Sequence, residues 1–441
     1  MIYKAAYVLP ISDAPISHGE VMVVDGEIRG VGRDLSSSFP GEPVNNLEQC
    51  ALLPGFINAH SHIDYTSSRN RVDALNLWDW LEAVAYNPSR RPDYDEVLLS
   101  AIMGAAECAR SGITCLGDCT FTGAAVNAMS RVGLRGVAYL ELFGQSMANR
   151  YVEEYQDKLD KVAHLQQNAS PHILVGLSPH TVYTSNADVL KLCAHSCTEL
   201  HIPIALHLAE TAAEAQYTLL GTGPIAEMRR KMNREPMVCG MTPARLLESV
   251  GLLTKGVSLA HCVHLASDEI ELIAHSGAGI VHCPRSNAFL GAGVAPVTEL
   301  LIEGARVSLG TDSAGSCMRL DFFEEMRFAL GIARAVRQEA AMLMAKDVLR
   351  MATIGGAETL GLDESVGTLE VGKRADMVAV DISKMLPGEC VELAIISRSP
   401  SDVIFTMVDG VEISRNGRAT MVDELTCEAE LKEHMERSGV G

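Results

Sequence analysis

Several things are missing from this chain of 441 residues, and each absence narrows what it can be. No run of about 18 apolar residues occurs, so no membrane-spanning helix is expected. The opening stretch MIYKAAYVLPISDAP has no basic start, long apolar core or small-residue cleavage site, so it does not read as a secretory signal. There is no Lys/Arg cluster, and 36 basic residues face 56 acidic ones for a net charge of −20. Such a surface repels phosphate backbones, which argues against a nucleic-acid partner. It is no evidence for a cationic substrate, because acidity also keeps proteins dissolved. No low-complexity segment interrupts the chain. Cysteine is not scarce, but the expected metal-finger spacing is: Cys115/Cys119 and Cys193/Cys197 have no complementary pair at a usable distance. Buried free thiols in a cytoplasmic protein are the simplest reading of all twelve.

What is present fits a soluble α/β protein. The length suits one large barrel with a smaller domain. Residues 1–50 alternate short apolar runs with turn signals, including Asp25-Gly26. The same texture returns in 366–382 and in 402–419, with Asp409-Gly410. Asp-Gly between alternating apolar residues predicts a hairpin. Neither piece has enough apolar area to stand alone, so both chain ends (1–50 plus 363–425) are expected to form one small β-sandwich domain.

Between them, 51–362 alternates Val/Ile/Leu-rich runs with segments of helical spacing. Strands are expected at 52–59, 113–121, 135–144, 172–179, 202–210, 256–262, 278–284 and 305–313, and helices at 94–110, 187–200, 266–276 and 322–335. Strand–helix alternation of this kind predicts a (β/α)₈ TIM-type barrel. The insertion at roughly 63–93 follows the first strand and belongs over the C-terminal face of the barrel. Residues 426–441 are expected to form a polar terminal helix.

Polar residues gather at the ends of those strands. His60 and His62 close the first, in LLPGFINAHSHIDY, and residues two apart in a strand point the same way. Glu141 ends the third strand, His180 the fourth, His207 and Glu210 the fifth, His261 and His264 the sixth, and Asp312 the eighth. Any one of these reads equally well as a hydrogen-bonded structural residue, and Asp312 as a helix N-cap. Together, His60, His62, His207 and Asp312 make a nitrogen/oxygen set suited to Zn²⁺ or Fe²⁺.

In this order, PGFINAHSH, LHLAE, AHCVHL and LGTDS resemble the amidohydrolase superfamily, most closely the branch of atrazine chlorohydrolase, guanine deaminase and S-adenosylhomocysteine deaminase. The resemblance spans nearly the whole chain, including GTLEVGKRADMVAVD near its end. It implies one divalent metal per chain, Zn²⁺ with Fe²⁺ as the alternative, on His60, His62, His207 and Asp312. It implies proton transfer by Glu210 and Asp312, a hydrogen bond from His261 to the attacking water, and substrate contact by His180. Binuclear members carry a lysine at the end of strand four; here Ser178-Pro179-His180 stands there, which favours the mononuclear, deaminating branch.

Pairing Glu141-x-Phe143-Gly144 with CPRSN further resembles the aminodeoxyfutalosine deaminases, with methylthioadenosine and S-adenosylhomocysteine deaminases as near relatives. The segment AGSCMR departs from their pattern, which carries a shorter, leucine-bearing version. Glu141 and Arg285 then become substrate contacts, although a structural ion pair explains Arg285 equally well. Trp80 is a candidate to stack on a ring, with Trp78 or Trp80 itself expected to pack. The expected activity is hydrolytic loss of ammonia, by metal-activated water, from an adenine-type nucleoside that is aminodeoxyfutalosine or like methylthioadenosine or S-adenosylhomocysteine. A chlorohydrolase, or a guanine, cytosine, pterin or triazine deaminase, is the alternative within enzymes, and a non-catalytic barrel scaffold is the alternative outside them. The expected partner is a small-molecule substrate; assembly into a homo-oligomer stays open.

Overall fold

The computed structural model describes residues 1–85, 92–144 and 150–438. Eight strands, Phe56–Ser61, Ile113–Thr120, Arg135–Leu142, Ile173–Pro179, Ile204–Leu208, Val257–His261, Gly279–His282 and Arg306–Leu309, pair side by side in chain order. Every pairing is parallel. The barrel closes through a parallel bridge between Ser61 and Asp312, where the Asp312 amide donates to the His60 carbonyl at 3.0 Å. Closure therefore happens beside His60, His62 and Asp312, which the sequence singles out. The strands are buried nearly throughout, as parallel strands covered on both faces must be.

Helices cover the outside. The helix Tyr94–Arg110 starts at Asp93, whose carboxylate accepts from the Glu96 amide, and buries Leu98, Ala101, Ile102, Ala105 and Ala109 against the sheet. Helix Phe322–Arg337 is capped the same way by Asp321 and buries Phe322, Phe323, Met326 and Ala329. Such a cap contributes about 1 kcal/mol each. Arg150–Asn168 and Ala124–Val132 complete the ring between strands two and four.

The segment 52–59, expected as one strand, is two. Val44–Pro54 belongs to the outer sheet and Phe56–Ser61 to the barrel, with the break at Gly55. A Cβ at Gly55 would fall 2.1 Å from Thr114 Cγ2, so only glycine lets the chain pass between the two sheets.

The outer sheet has nine strands drawn from both chain ends, joined where Val44–Pro54 runs antiparallel to Met377–Asp381. Both predicted hairpins are present, and their Asp-Gly turns have positive φ at both residues: 50° and 75° at Asp25-Gly26, 55° and 79° at Asp409-Gly410. Those angles are the mirror-image turn that matches strand twist. Tyr3 and Phe405 lie on strands separated by two others, yet their rings stand 5.8 Å apart. The single sheet therefore folds over its own core of Val8, Val21, Ile28, Leu52 and Met377, giving a sandwich-like section. It is tied to the barrel by Arg135, at the start of the third strand, which donates to Asp376 at 2.7 and 3.1 Å and to Asp409 at 3.2 Å.

After the first strand come a 3₁₀ segment Ile63–Ser68, a short helix Leu77–Trp80 and a π-turn Leu81–Ala85. Residues 86–91 of the expected insertion lie outside the described residues. This segment has a core of its own, Leu77, Trp80, Leu81 and Leu290, separate from the main one. The terminal helix runs Glu424–Arg437, two residues earlier than expected at its start; 439–441 lie outside the described residues. No described helix is long and apolar enough to cross a membrane. All twelve cysteines are free.

Candidate active site

His60 and His62 leave the first strand together, with ring centroids 5.0 Å apart and nearly perpendicular. His207 reaches the same point from the fifth strand: its Nε2 lies 3.1 Å from His62 Nε2, and its ring is 4.9 Å from that of His60. His207 Nδ1 sits 2.8 Å from the His180 carbonyl, which can only accept, so Nδ1 carries the proton and Nε2 presents a lone pair. Burial, and then His261, push the His207 imidazole down to about 4, so this ring is neutral at ordinary pH. Burial and the neighbouring imidazoles lower His60 as well, burial lowers His261 against the pull of Asp312 and Asn287, and burial lowers His62 against the pull of Glu141 and Asp312. His60 Nε2 has no hydrogen-bond partner although it is buried. An unpartnered lone pair in a cluster of neutral imidazoles fits a cation.

Asp312 supplies the oxygen. Its Oδ2 accepts from Ser286 Oγ at 2.5 Å and Ser316 Oγ at 3.1 Å. Oδ1 is thereby turned to the histidines, 3.8 Å from His60 Nε2 and 3.6 Å from His62 Nε2. Burial opposes ionisation, but His62, His261 and the Ser286 hydroxyl outweigh it and hold the carboxyl below its usual range. Three neutral nitrogens and one ionised oxygen are a donor set for Zn²⁺ or Fe²⁺.

Glu210 and His261 complete the floor. Glu210 Oε2 is 3.8 Å from His261 Nε2. Burial, and then the Asp312 charge, push the Glu210 carboxyl well up, toward its protonated form. His261 Nδ1 is 2.9 Å from Asn287 Oδ1, an acceptor that leaves Nε2 unprotonated toward the cavity. His261, Asp312 and Ala209 have φ of 74°, 60° and 49°, left-handed values rare outside glycine. Such strain gathers at functional sites.

Over this floor lies a cavity walled by Glu141, His180, Trp80, Phe143, Tyr183 and Leu290. His180 shares its Nδ1 with Thr184 Oγ1 at 3.2 Å and stacks on Phe143 at 4.6 Å. Glu141 is buried, its carboxyl raised by burial against the pull of His62. Trp80 faces the cavity with its indole N–H donating to the Gly315 carbonyl at 3.2 Å. Trp78 instead packs edge-on against Tyr183.

Arg285 does not face this cavity. Its guanidinium donates to Glu325 at 2.7 Å, to Glu324 at 2.6 Å and to the Arg319 carbonyl, and its side chain is 2% exposed. The expected substrate contact is thus corrected to a structural ion pair, because two carboxylates on helix Phe322–Arg337 draw the arginine outward. His264 also points elsewhere, with Nε2 on the Ala292 carbonyl. Residues that sequence reasoning missed are Ser286 and Asn287, which orient Asp312 and His261, and the cavity walls Phe143 and Tyr183. Phe143 carried a signal: it lies two residues beyond Glu141 and so shares its face. The thiol of Cys119 stands 4.0 Å from His60 Nδ1, behind the ring.

A family model described as the amidohydrolase family matches residues 51–413. The chain belongs to the amidohydrolase family. Among individual proteins, it is 30% identical over 444 residues to a 5-methylthioadenosine/S-adenosylhomocysteine deaminase of Moorella thermoacetica, covering 99% of this chain and 99% of that protein. Its structure is similar to that of an adenosine deaminase from Xanthomonas campestris with bound zinc, with a TM-score of 0.86 and 26% identity over 100% of this chain and 98% of that one. The zinc complex of an atrazine chlorohydrolase from Arthrobacter aurescens shares the fold, with a TM-score of 0.84 at 22% identity, covering 98% of this chain and 99% of that one.

Proposed function

We propose that this protein is a metal-dependent deaminase that hydrolyses the amino group from adenine-type nucleosides carrying a 5′-thio substituent, the class of 5-methylthioadenosine and S-adenosylhomocysteine. The reaction replaces a ring C–NH₂ with C=O and releases ammonia. The observation that carries it is one histidine cluster flanked by two carboxyls, Glu210 Oε2 3.8 Å from His261 Nε2 and Asp312 Oδ1 3.8 and 3.6 Å from His60 and His62 Nε2. The first is pushed up in pKa by burial, and the second is held down, against burial, by the histidines. Environments that push two carboxyls apart in pKa assign one as acid and the other as base.

His60, His62, His207 and Asp312 would hold the metal, which we assign as Zn²⁺ over Fe²⁺ from three imidazoles and one carboxylate. When bound, such a metal lowers the pKa of a coordinated water from about 15.7 towards about 7. Asp312 takes the water proton. His261 accepts a hydrogen bond at Nε2, a role set by Asn287 on its other nitrogen. Glu210 gives its proton to the ring nitrogen beside the carbon under attack. The proton held by Asp312 then passes to the departing amine, and the proton left on the new hydroxyl returns to Glu210 as the C=O forms. Acid–base help of this kind is worth about 10²–10⁴-fold. His180, Glu141 and Trp80 position the nucleoside: Trp80 offers a ring face, and Glu141 accepts from sugar hydroxyls or ring N–H groups.

The aminodeoxyfutalosine resemblance pairs Glu141-x-Phe143-Gly144 with CPRSN, and of that second motif Arg285 is engaged with Glu325 and takes no part in binding the nucleoside. In the same proposal, 1–50 and 363–425 act as a structural domain and 51–362 carries the chemistry. Twelve free cysteines fit the cytoplasm as its compartment. The test is a panel of adenosine, 5′-thioadenosines, aminodeoxyfutalosine, guanine and triazines, scored by ammonia release. The highest kcat/KM is expected on the 5′-thioadenosines. Turnover of guanine or triazines with none on any adenine nucleoside would overturn the proposal.

A further inference from the structure

The turn that carries Glu210 is held from behind by a second carboxylate. Glu214, in the first turn of helix Ala212–Leu220, is 1% exposed. Its Oε1 accepts from the Thr211 amide at 3.3 Å, the bond a capping box requires. Two further bonds are shorter and lie outside the helix: the Glu210 amide donates to Oε1 at 2.7 Å and the Ala209 amide to Oε2 at 2.9 Å. Capping a helix asks for neither. Ala209 is the residue with φ of 49°, where a side chain costs energy and the local chain would otherwise relax. Among the described residues no cation forms an ion pair with Glu214: burial, and then the neighbouring Glu210 carboxyl, push it up to about 8 against the three amides that donate to it.

We infer that Glu214 is a positioning residue for catalysis, fixing the strained turn so that the Glu210 carboxyl stays aimed at the cavity beside His261. It touches neither substrate nor metal ligands and acts only through the backbone of Ala209, Glu210 and Thr211. Glutamine at this position keeps the shape, but its amide N–H₂ faces backbone donors and at least one of the three bonds is lost. His207, three residues upstream, is anchored separately through the His180 carbonyl, so the metal set stays in place.

The inference rests on Glu210 being the proton carrier, and one experiment separates the two. Glu210→Gln, Glu214→Gln, Glu214→Asp and the double Gln variant are purified with zinc and compared by metal content, kcat, KM and pH profile. E214Q is expected to keep one zinc per chain and a KM within about threefold of the parent, while kcat falls about 10–100-fold, the range of supporting-residue effects at such sites. The double variant is expected to be no slower than E210Q, since both changes act on one group. If E210Q itself retains a normal rate, the assignment of Glu210 fails. If E210Q is impaired while E214Q turns over normally, or if the two losses multiply, only the present inference fails. A shortened carboxylate in E214D is expected to fall between parent and E214Q. Should neither Glu214 variant fold with its metal, the residue serves folding alone and the inference is overturned.

Discussion

His62 and His207 face each other with Nε2 atoms 3.1 Å apart and rings 6° from parallel. Two nitrogens bound to one zinc at about 2.0–2.1 Å lie about 3.3 Å apart, so the pair is spaced for a shared cation. The chemistry follows: His207→Ala is expected to lower zinc content well below one per chain by elemental analysis. Chelation of the parent should abolish ammonia release, and added Zn²⁺ should restore it. Full metal occupancy in the alanine variant removes His207 from the ligand set.

Glu210→Gln keeps the side-chain volume and removes the proton. Retained zinc and substrate binding with kcat lower by about 10²–10⁴-fold is the expected outcome, read by stopped or continuous ammonia assay. A rate near that of the parent sinks the acid role.

Arg285 holds the barrel to helix Phe322–Arg337 rather than the substrate. Removing a partner from a buried ion pair leaves a charge uncompensated, so Arg285→Ala should destabilise by about 3–5 kcal/mol in chemical denaturation. Since the guanidinium does not line the cavity, KM of the folded fraction should stay within about threefold of the parent. A large KM effect without loss of stability would restore it as a substrate contact. Combining Arg285→Met with Glu325→Leu should recover much of the stability, because an apolar pair replaces the charges.

The clamp between barrel and outer sheet is pH-dependent. Burial works against ionisation of Asp409, but the Arg374 and Arg135 guanidiniums outweigh it and hold this carboxyl below its usual range. A depressed folded pKa contributes stability that is complete above the unfolded value of about 3.9 and is lost as pH falls through the folded value. Asp409→Asn should therefore lower Tm at neutral pH and flatten its acid limb, with variant and parent converging in strong acid. Parallel curves at all pH values would remove Asp409 from the linkage.

Much of this was legible because two geometric rules suffice for it. The period of a strand puts His60 and His62 on one side, and parallel strands bring the ends carrying His207, Glu210, His261 and Asp312 to one face. What the pattern hides is direction around a motif. CPRSN reads as one unit, yet Arg285 turns outward to Glu325 while Ser286 and Asn287 turn inward to Asp312 and His261. The Gly55 break did carry a signal, the dipeptide Pro54-Gly55, but the apolar residues on either side of it read as one strand. Glu214 carried no signal in the sequence for this role, since its bonds to the Ala209 and Glu210 amides arise from the backbone path and not from residue type.

The pairing of Val44–Pro54 with Met377–Asp381 also sets an order of events during synthesis. The first barrel strand emerges from the ribosome joined directly to a sheet strand that has Ile2–Val8 on one edge while its partner on the other edge is still untranslated. Until Met377 appears, the Val44–Pro54 edge is open to whatever strand it meets, including one from a neighbouring nascent chain. The barrel can gather its eight strands beforehand, but its floor beneath Arg135 is sealed only when the last stretch arrives. Slow translation or a stop codon before residue 377 should therefore yield aggregated chains rather than a smaller working enzyme.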